Sequence, residues 1–339
     1  MKKSILLLSA LMIFSCSGAQ QAEKGLKSSP EKYLKTITAT DLKTHLYIVA
    51  DDTMEGRQTG EPGQKRAGQY LIDQYKAMGV SYPPAASSFY QSVPASFMNS
   101  RRGKLKDSEN IWAFIEGSEH PEEIIVISAH YDHIGTENGE VFNGADDDGS
   151  GTVALLEMAE AFAKAKKDGN GPKRSILFLH VTGEEHGLHG SRYYSENPLY
   201  PLANTVADIN IDMIGRRDDL HPKTNNYVYV IGSDRLSSEL HTITNEVNDK
   251  YIKMDLDFRF NARDEPNRYY FRSDHYNFAK NGIPSVFLFN GVHDDYHKAT
   301  DTPDKIEYDA LEKRTQLAFA IAWELANRKD RIKVDRDGQ

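Results

Sequence analysis

Three clusters of imidazole and carboxylate side chains are the parts of this chain best equipped for chemistry. They are His130-Tyr131-Asp132, the run Gly144 to Gly151 that contains Asp146-Asp147-Asp148, and Gly183-Glu184-Glu185-His186-Gly187. Asp212, in Asn210-Ile211-Asp212-Met213-Ile214-Gly215, and His297, in Tyr296-His297-Lys298-Ala299-Thr300-Asp301-Thr302, extend the set. Nitrogen and carboxylate oxygen donors in this number suit first-row divalent metals, zinc above all. Two such ions about 3.5–4 Å apart can clamp and activate a water for hydrolysis. The chain therefore reads first as a two-metal hydrolase with two zinc ions per chain.

The clusters need elements that bring them together. Ile124-Ile125-Val126-Ile127-Ser128, Ser175 to Val181, Val206 to Ile211, Tyr227 to Ile231 and Ser285 to Phe289 are short, uniformly apolar runs that read as buried strands. Helical spacing of apolar residues marks Arg66–Met78 (stopped by Gly79), Thr152–Lys166, Leu236–Val247 and Asp309–Asn327, and Ser191 opens a short helix. Strands without alternation, interleaved with helices, predict an α/β fold: one mostly parallel or mixed central sheet with helices on both faces. His130 and Asp132 follow the first strand, Glu184 and Glu185 the second, and Asp212 ends the third; the Gly144–Gly151 run opens a helix, and His297 lies in a loop after the fifth. Open α/β sheets gather ligands beyond the carboxyl ends of their strands, so the segments are expected to meet in one crevice. Alone, Glu184-Glu185 would pass for a solvated acidic pair at a helix start; its position after a buried strand argues for the site instead.

In this order the motifs resemble peptidase family M28, the zinc exopeptidases, from about Asp41 to Asn327. The segment Asp52 to Gly60 is similar to an early stretch of the same family. The resemblance implies a fold of the zinc-exopeptidase type and a set of roles. His130 and Asp212 would bind one zinc, and Glu185 and His297 the other. Asp147 would bridge them; Asp146 stands where the family usually has Asn, so two adjacent acids compete for that role. Asp132 would orient His130. Glu184 would be the general base, and Tyr296 would donate to the developing oxyanion. The pocket is expected to be acidic, with Glu184, Asp146 and Asp212 near the reacting water. His275 reads as a pocket or packing residue, and His186, His189, His293 and Asp294 match no metal position. The activity implied is that of an exopeptidase acting on peptides, read as an aminopeptidase. The alternatives are a carboxypeptidase of the same family, with Arg259, Arg263, Arg268 or Arg272 as its carboxylate clamp, and a glutaminyl-cyclase-like acyltransferase.

The rest of the composition narrows the setting. The chain has 339 residues and a net charge of −9. No basic stripe is present to neutralise phosphates, which argues against nucleic acid as a partner. Lys2 and Lys3, then the apolar Ile5–Phe14, then Ser15 and Cys16, read as a lipoprotein signal over residues 1–16, with Cys16 the lipid attachment point. Cys16 is also the sole cysteine. Residues 17–39 read as a flexible tether, 40–329 as the catalytic domain and 330–339 as a polar tail. The expected location is the bacterial cell envelope, periplasmic or at the outer membrane, with the lipid as the only membrane contact.

Overall fold

A computed structural model describes residues 29–99 and 104–338. The signal segment and Cys16 lie outside the described residues. Among those described, no helix is long and apolar enough to cross a membrane.

The elements in chain order are α1 (Glu31–Leu34), α2 (Ala39–Val49), α3 (Pro62–Met78), β1 (Tyr90–Val93), α4 (Ala95–Met98), β2 (Ser108–Ile115), β3 (His120–His130), β4 (Gly135–Glu137) and β5 (Glu140–Phe142). They continue with α5 (Gly151–Lys167), β6 (Arg174–Val181), α6 (His189–Glu196), β7 (Thr205–Ile211), β8 (Tyr227–Ile231), α7 (Ser238–Val247), β9 (Asp255–Asp257), α8 (His275–Ala279), β10 (Ser285–Phe289) and α9 (Tyr308–Asn327). Eight strands form one mixed sheet in the order β1-β2-β6-β3-β7-β10-β8-β9. The central four, β6, β3, β7 and β10, run parallel, while β2 and β8 pair antiparallel to this block from either side. The short hairpin β4–β5 stands apart.

Both faces of the sheet are buried, which is why its strands read as unbroken apolar runs. Along β3, Ile125, Ile127 and Ala129 enter the large core beneath α2, α3, α5 and α9, while Ile124 and Val126 enter a second core that includes Tyr194 of α6 and Phe278 of α8. The alternation follows from the two-residue repeat of a strand. In the large core Phe162 of α5 packs against Phe319 and Trp323 of α9, and Tyr33 stacks on Trp323 at 5.4 Å.

That last contact corrects the boundary of the tether. Tyr33, Leu34 and Ile37 are buried in the core, so the chain is already packed from about residue 30. Three apolar side chains on one turn outweigh the small polar residues around them. The polar tail is corrected likewise: Ile332 is buried, and Arg331 donates to the carbonyls of Ala203 and Thr205 at 2.8 and 2.7 Å.

Strand register aligns the chemistry. His130 pairs with Val181, three residues before Glu184. Ile211, just before Asp212, pairs with Leu288 of β10. The carboxyl ends of the four parallel strands therefore deliver His130, Glu184–Glu185, Asp212 and the loop bearing His297 to one end of the sheet.

Candidate metal centre

His130 ends β3, and its ring is buried. Nδ1 faces the carbonyl oxygen of Asp132 at 3.1 Å, whereas the Asp132 carboxylate stands 3.8 Å away. A proton on Nδ1 directed at that carbonyl leaves the Nε2 lone pair free for a metal. The Asp132 carboxylate does other work: it accepts from Thr59 Oγ1 at 2.7 Å and from the backbone N–H of Glu184 at 3.2 Å. It thereby ties the β3 loop to the β6 loop.

The three adjacent aspartates divide by their backbone partners. Asp146 accepts from Gly215 N–H at 2.6 Å with one oxygen and faces His293 Nε2 at 3.1 Å with the other. It is not in the lining of the cavity that Asp147, Glu184 and Asp212 share, contrary to the expectation that it stands near the reacting water. Asp148 accepts with Oδ1 from Gly151 and Met213 N–H groups, and its Oδ2 is buried without a hydrogen-bond partner. Asp147 instead presents both oxygens to imidazoles: Oδ1 lies 3.2 Å from His130 Nε2, and Oδ2 lies 3.0 Å from His297 Nε2. The N–H groups of Asp146 and Asp147 both donate to Oδ2 of the buried Asp301, which pins the turn.

Each imidazole has a second carboxylate. Asp212 Oδ1 lies 3.6 Å from His130 Nε2, and its Oδ2 accepts from Ser273 Oγ at 2.6 Å. Glu185 Oε2 lies 3.1 Å from His297 Nε2. A tetrahedral site with bonds of about 2.0–2.1 Å has ligand–ligand edges of roughly 3.3 Å. The four separations, 3.2, 3.6, 3.0 and 3.1 Å, match such edges. The donor set therefore fits two zinc ions sharing Asp147. His130, Asp148 and Asp212 also lie close enough together to hold an ion, but two N–H donors already occupy Asp148 Oδ1.

Glu184 adjoins Glu185 in sequence but turns to the other side, with Oε2 3.9 Å from His130 Nε2. Burial and the neighbouring charges of Asp212, Glu185 and Asp274 push its carboxyl well up, against the pull of His130. Burial also opposes ionisation of Asp147, yet His130 and His297 hold it well below the usual carboxylate range. Tyr296 stacks on the His297 ring at 3.9 Å. Burial and the carboxylates of Asp147, Glu185 and Asp212 raise its phenol, so it keeps its proton and can donate it.

A small cavity of about 40 Å³ opens beside the cluster. Asp147, Glu184, Asp212 and Tyr296 line its polar side, and Met213, Tyr269, Phe287, Phe289 and Val292 its apolar side, with Arg272 also in the lining. Tyr269 and Arg272 come from the segment between β9 and α8, which is rich in arginine and aromatic residues. His275 does not reach the cavity. Its ring packs on Phe287 at 4.9 Å, and burial holds its pKa down to about 3.

Sequence reasoning passed over three contributors. His133 sits with Nδ1 2.7 Å from Glu185 Oε1; a second histidine three residues after His130 was the available signal. Ser273 braces Asp212, but nothing in its sequence setting marks it. Arg57 is fully buried and donates to the carbonyls of Tyr131, Val49, Asn143 and Gly144 at 2.6–2.9 Å. It staples the β3 loop to the aspartate turn.

A parallel-centred sheet with a shared carboxylate between two imidazole–carboxylate pairs describes a metal-dependent hydrolase of the α/β class. The chain belongs to peptidase family M28, which it matches over residues 110–322. It is 31% identical over 257 residues to a probable leucine aminopeptidase of Arthroderma otae, covering 73% of this chain and 67% of that protein. The chain spans about half to two-thirds of the length of such curated relatives. Among solved structures, the LapA aminopeptidase of Legionella pneumophila superposes with a TM-score of 0.66 at 23% identity, over 89% of this chain and 75% of that one. The glutaminyl cyclase of Porphyromonas gingivalis superposes with a TM-score of 0.64 at 19% identity, over 84% and 97%. The shared fold thus does not by itself choose between peptide hydrolysis and cyclisation.

Proposed function

We propose that this protein is a binuclear zinc aminopeptidase, removing N-terminal residues from peptides, with His130 and Asp212 on one zinc, Glu185 and His297 on the other, and Asp147 between them. The observation that carries the reading is Asp147, whose two oxygens each face a different imidazole–carboxylate pair at the mouth of a cavity. Two zinc ions held there would supply Lewis-acid polarisation of the scissile carbonyl and lower the pKa of the attacking water. The protein's own part follows from placement. Glu184, off the ligand edges but beside the cluster, accepts the water's proton and delivers it to the leaving amine. Tyr296 donates to the oxyanion. The apolar wall of Met213, Phe287, Phe289 and Val292 accepts a substrate side chain and excludes water. Names of relatives support the aminopeptidase reading.

Tyr296→Phe is expected to lower kcat about 10²-fold with KM little changed, the loss typical of one oxyanion donor. An unchanged kcat would reduce Tyr296 to a packing role against His297.

One observation favours a second reading, a carboxypeptidase. Arg259 pairs with Asp257 at 2.7 Å, and Arg263 and Arg268 line a separate groove, but Arg272 lines the catalytic cavity. Its guanidinium lies over Tyr269 at 5.1 Å, and no carboxylate stands within ion-pair distance of it among the described residues. Against it, Asp147, Glu184 and Asp212 line the same cavity, and their negative field favours a free α-ammonium. Leu-p-nitroanilide should be cleaved and its N-acetyl form should not, while amidating the carboxyl terminus of a peptide should leave cleavage intact. The reverse pattern would identify a carboxypeptidase and Arg272 as its clamp. Release of pyroglutamyl product from an N-terminal Gln peptide would point to a cyclase.

The proposal includes a lipid anchor on Cys16 in the bacterial envelope. Cys16→Ala is expected to move the protein from the membrane fraction to the soluble fraction or to block its processing. An unmodified mature N-terminus at another residue, found by mass analysis, would remove the anchor from the proposal.

A further inference from the structure

We infer that His133 is a positioning residue that fixes the orientation of Glu185 through an Nδ1–H donor, an inference that rests on the metal-centre reading above. His133 is fully buried, and Nδ1 stands 2.7 Å from Glu185 Oε1. Among the described residues neither that oxygen nor either ring nitrogen makes a hydrogen bond, so the 2.7 Å approach of Nδ1 to Oε1 is the polar contact open to that pair of atoms. A buried imidazole with nothing to bond is costly, and an apolar side chain would fill the same space without that cost.

The ring is also kept in place. The backbone N–H of His133 donates to Arg57 O at 3.1 Å, and His133 pairs with Gln58 as an isolated bridge. Gly144, at φ +55°, lies so near the ring that a Cβ there would come within 2.5 Å of it. The ring therefore has one face closed by backbone, and it meets the His297 ring edge-on at 5.9 Å.

The two terminal carboxylates of the centre share one design. Asp212 turns Oδ1 to His130 and has Oδ2 held by Ser273 at 2.6 Å. Glu185 turns Oε2 to His297 at 3.1 Å and has Oε1 against His133. In each case a buried polar side chain stands against one carboxylate oxygen while the other faces an imidazole, by a hydrogen bond at Asp212 and by close approach at Glu185. The separation also argues against His133 as a sixth ligand. His133, Asp147 and Glu185 lie close enough together to hold an ion, but the 2.7 Å separation is shorter than the roughly 3.3 Å edge between two ligands of one zinc. His133 Nδ1 lies 3.9 Å from Asp147 Oδ2, beyond such an edge.

The test is a metal titration of apo-protein against a competing chromophoric chelator, resolving the two zinc affinities. His133→Leu should weaken one site about 10- to 100-fold, the usual effect of losing a partner that orients a ligand, and leave the other within about threefold. His133→Asn, whose Nδ2 can reach the place of Nδ1, should restore most of the loss. Equal affinities in the Leu variant and wild type would overturn the proposal, as would equal weakening of both sites, which marks a packing role. A Leu variant and an Asn variant that both hold a single zinc at saturation would make His133 a ligand instead. Wild-type protein that never binds two zinc ions would defeat the centre itself, a separate result. If the Leu variant does not fold, long-range 1H–15N spectra of the zinc-loaded wild type decide. A His133 ring protonated on Nδ1 upholds the inference, and one protonated on Nε2 refutes it.

Discussion

Glu184→Gln is expected to cut kcat about 10²- to 10⁴-fold while both zinc ions stay bound, the range for losing a positioned general base. The amide is nearly the same size as the carboxylate but cannot take a proton from water. Glu184 supplies none of the four separations that match ligand edges, so its neutralisation should leave metal content intact. Its backbone N–H bond to Asp132 survives the change, which keeps the β6 loop in place. Asp147→Asn is the contrasting variant. There the altered carboxylate faces both imidazoles, at 3.2 and 3.0 Å, and zinc binding itself should weaken. Elemental analysis beside kcat for the two variants decides the matter. Comparable loss of zinc in both would mean that base and ligand have been assigned the wrong way round.

Much of this arrangement can be read from residue order because a parallel sheet imposes a rule. Whatever follows a buried strand is delivered to the same end of the sheet, so His130, Glu184–Glu185 and Asp212 had to be neighbours. The five strands first recognised are the apolar ones, buried on both faces. The strands outside that set are β2 and the short pieces β1, β4, β5 and β9, and the pairing of the short ones depends on tertiary neighbours more than on pattern. What the order of residues cannot give is the direction of a side chain within a cluster. Asp146, Asp147 and Asp148 are chemically alike. They differ only in which backbone N–H groups reach them, and those groups come from Gly151, Met213 and Gly215, far along the chain for two of the three.

The same limit hides the braces. His133 and Ser273 acquire their roles from the carboxylates they meet, and neither belongs to a pattern of spacing. His293 matched no metal position, and the structure shows why: it faces Asp146 at 3.1 Å. Tyr33, Leu34 and Ile37 were masked differently. Polar neighbours lowered the average, although three apolar side chains on one turn suffice to dock a short helix on Trp323.

Arg57→Met is expected to destabilise the fold by about 3–5 kcal/mol, the cost of breaking a buried, fully engaged charged group. Arg57 has no solvent exposure, and its guanidinium donates to four carbonyls, those of Val49, Tyr131, Asn143 and Gly144. A thioether fills the space but bonds none of them, and each stranded acceptor costs about 1–3 kcal/mol where water cannot enter. Charge acts in the same direction. Burial lowers the Arg57 pKa, but Asp148, Asp147, Asp301 and Asp132 surround it and favour its cation. Its removal takes that positive charge away from all four acids. Two of its acceptors belong to Asn143 and Gly144, which lead into the aspartate turn, and another to Tyr131, next to His130. The loss should therefore persist at saturating zinc, which stabilises both folded forms, and should be larger there by the amount that the variant binds zinc more weakly. Urea unfolding of both forms, with Arg57→Lys as the charge-retaining control, measures the effect. A shift below about 1 kcal/mol in the apo-protein would mean that the surrounding loops hold their geometry without the staple, since even one stranded acceptor should cost that much.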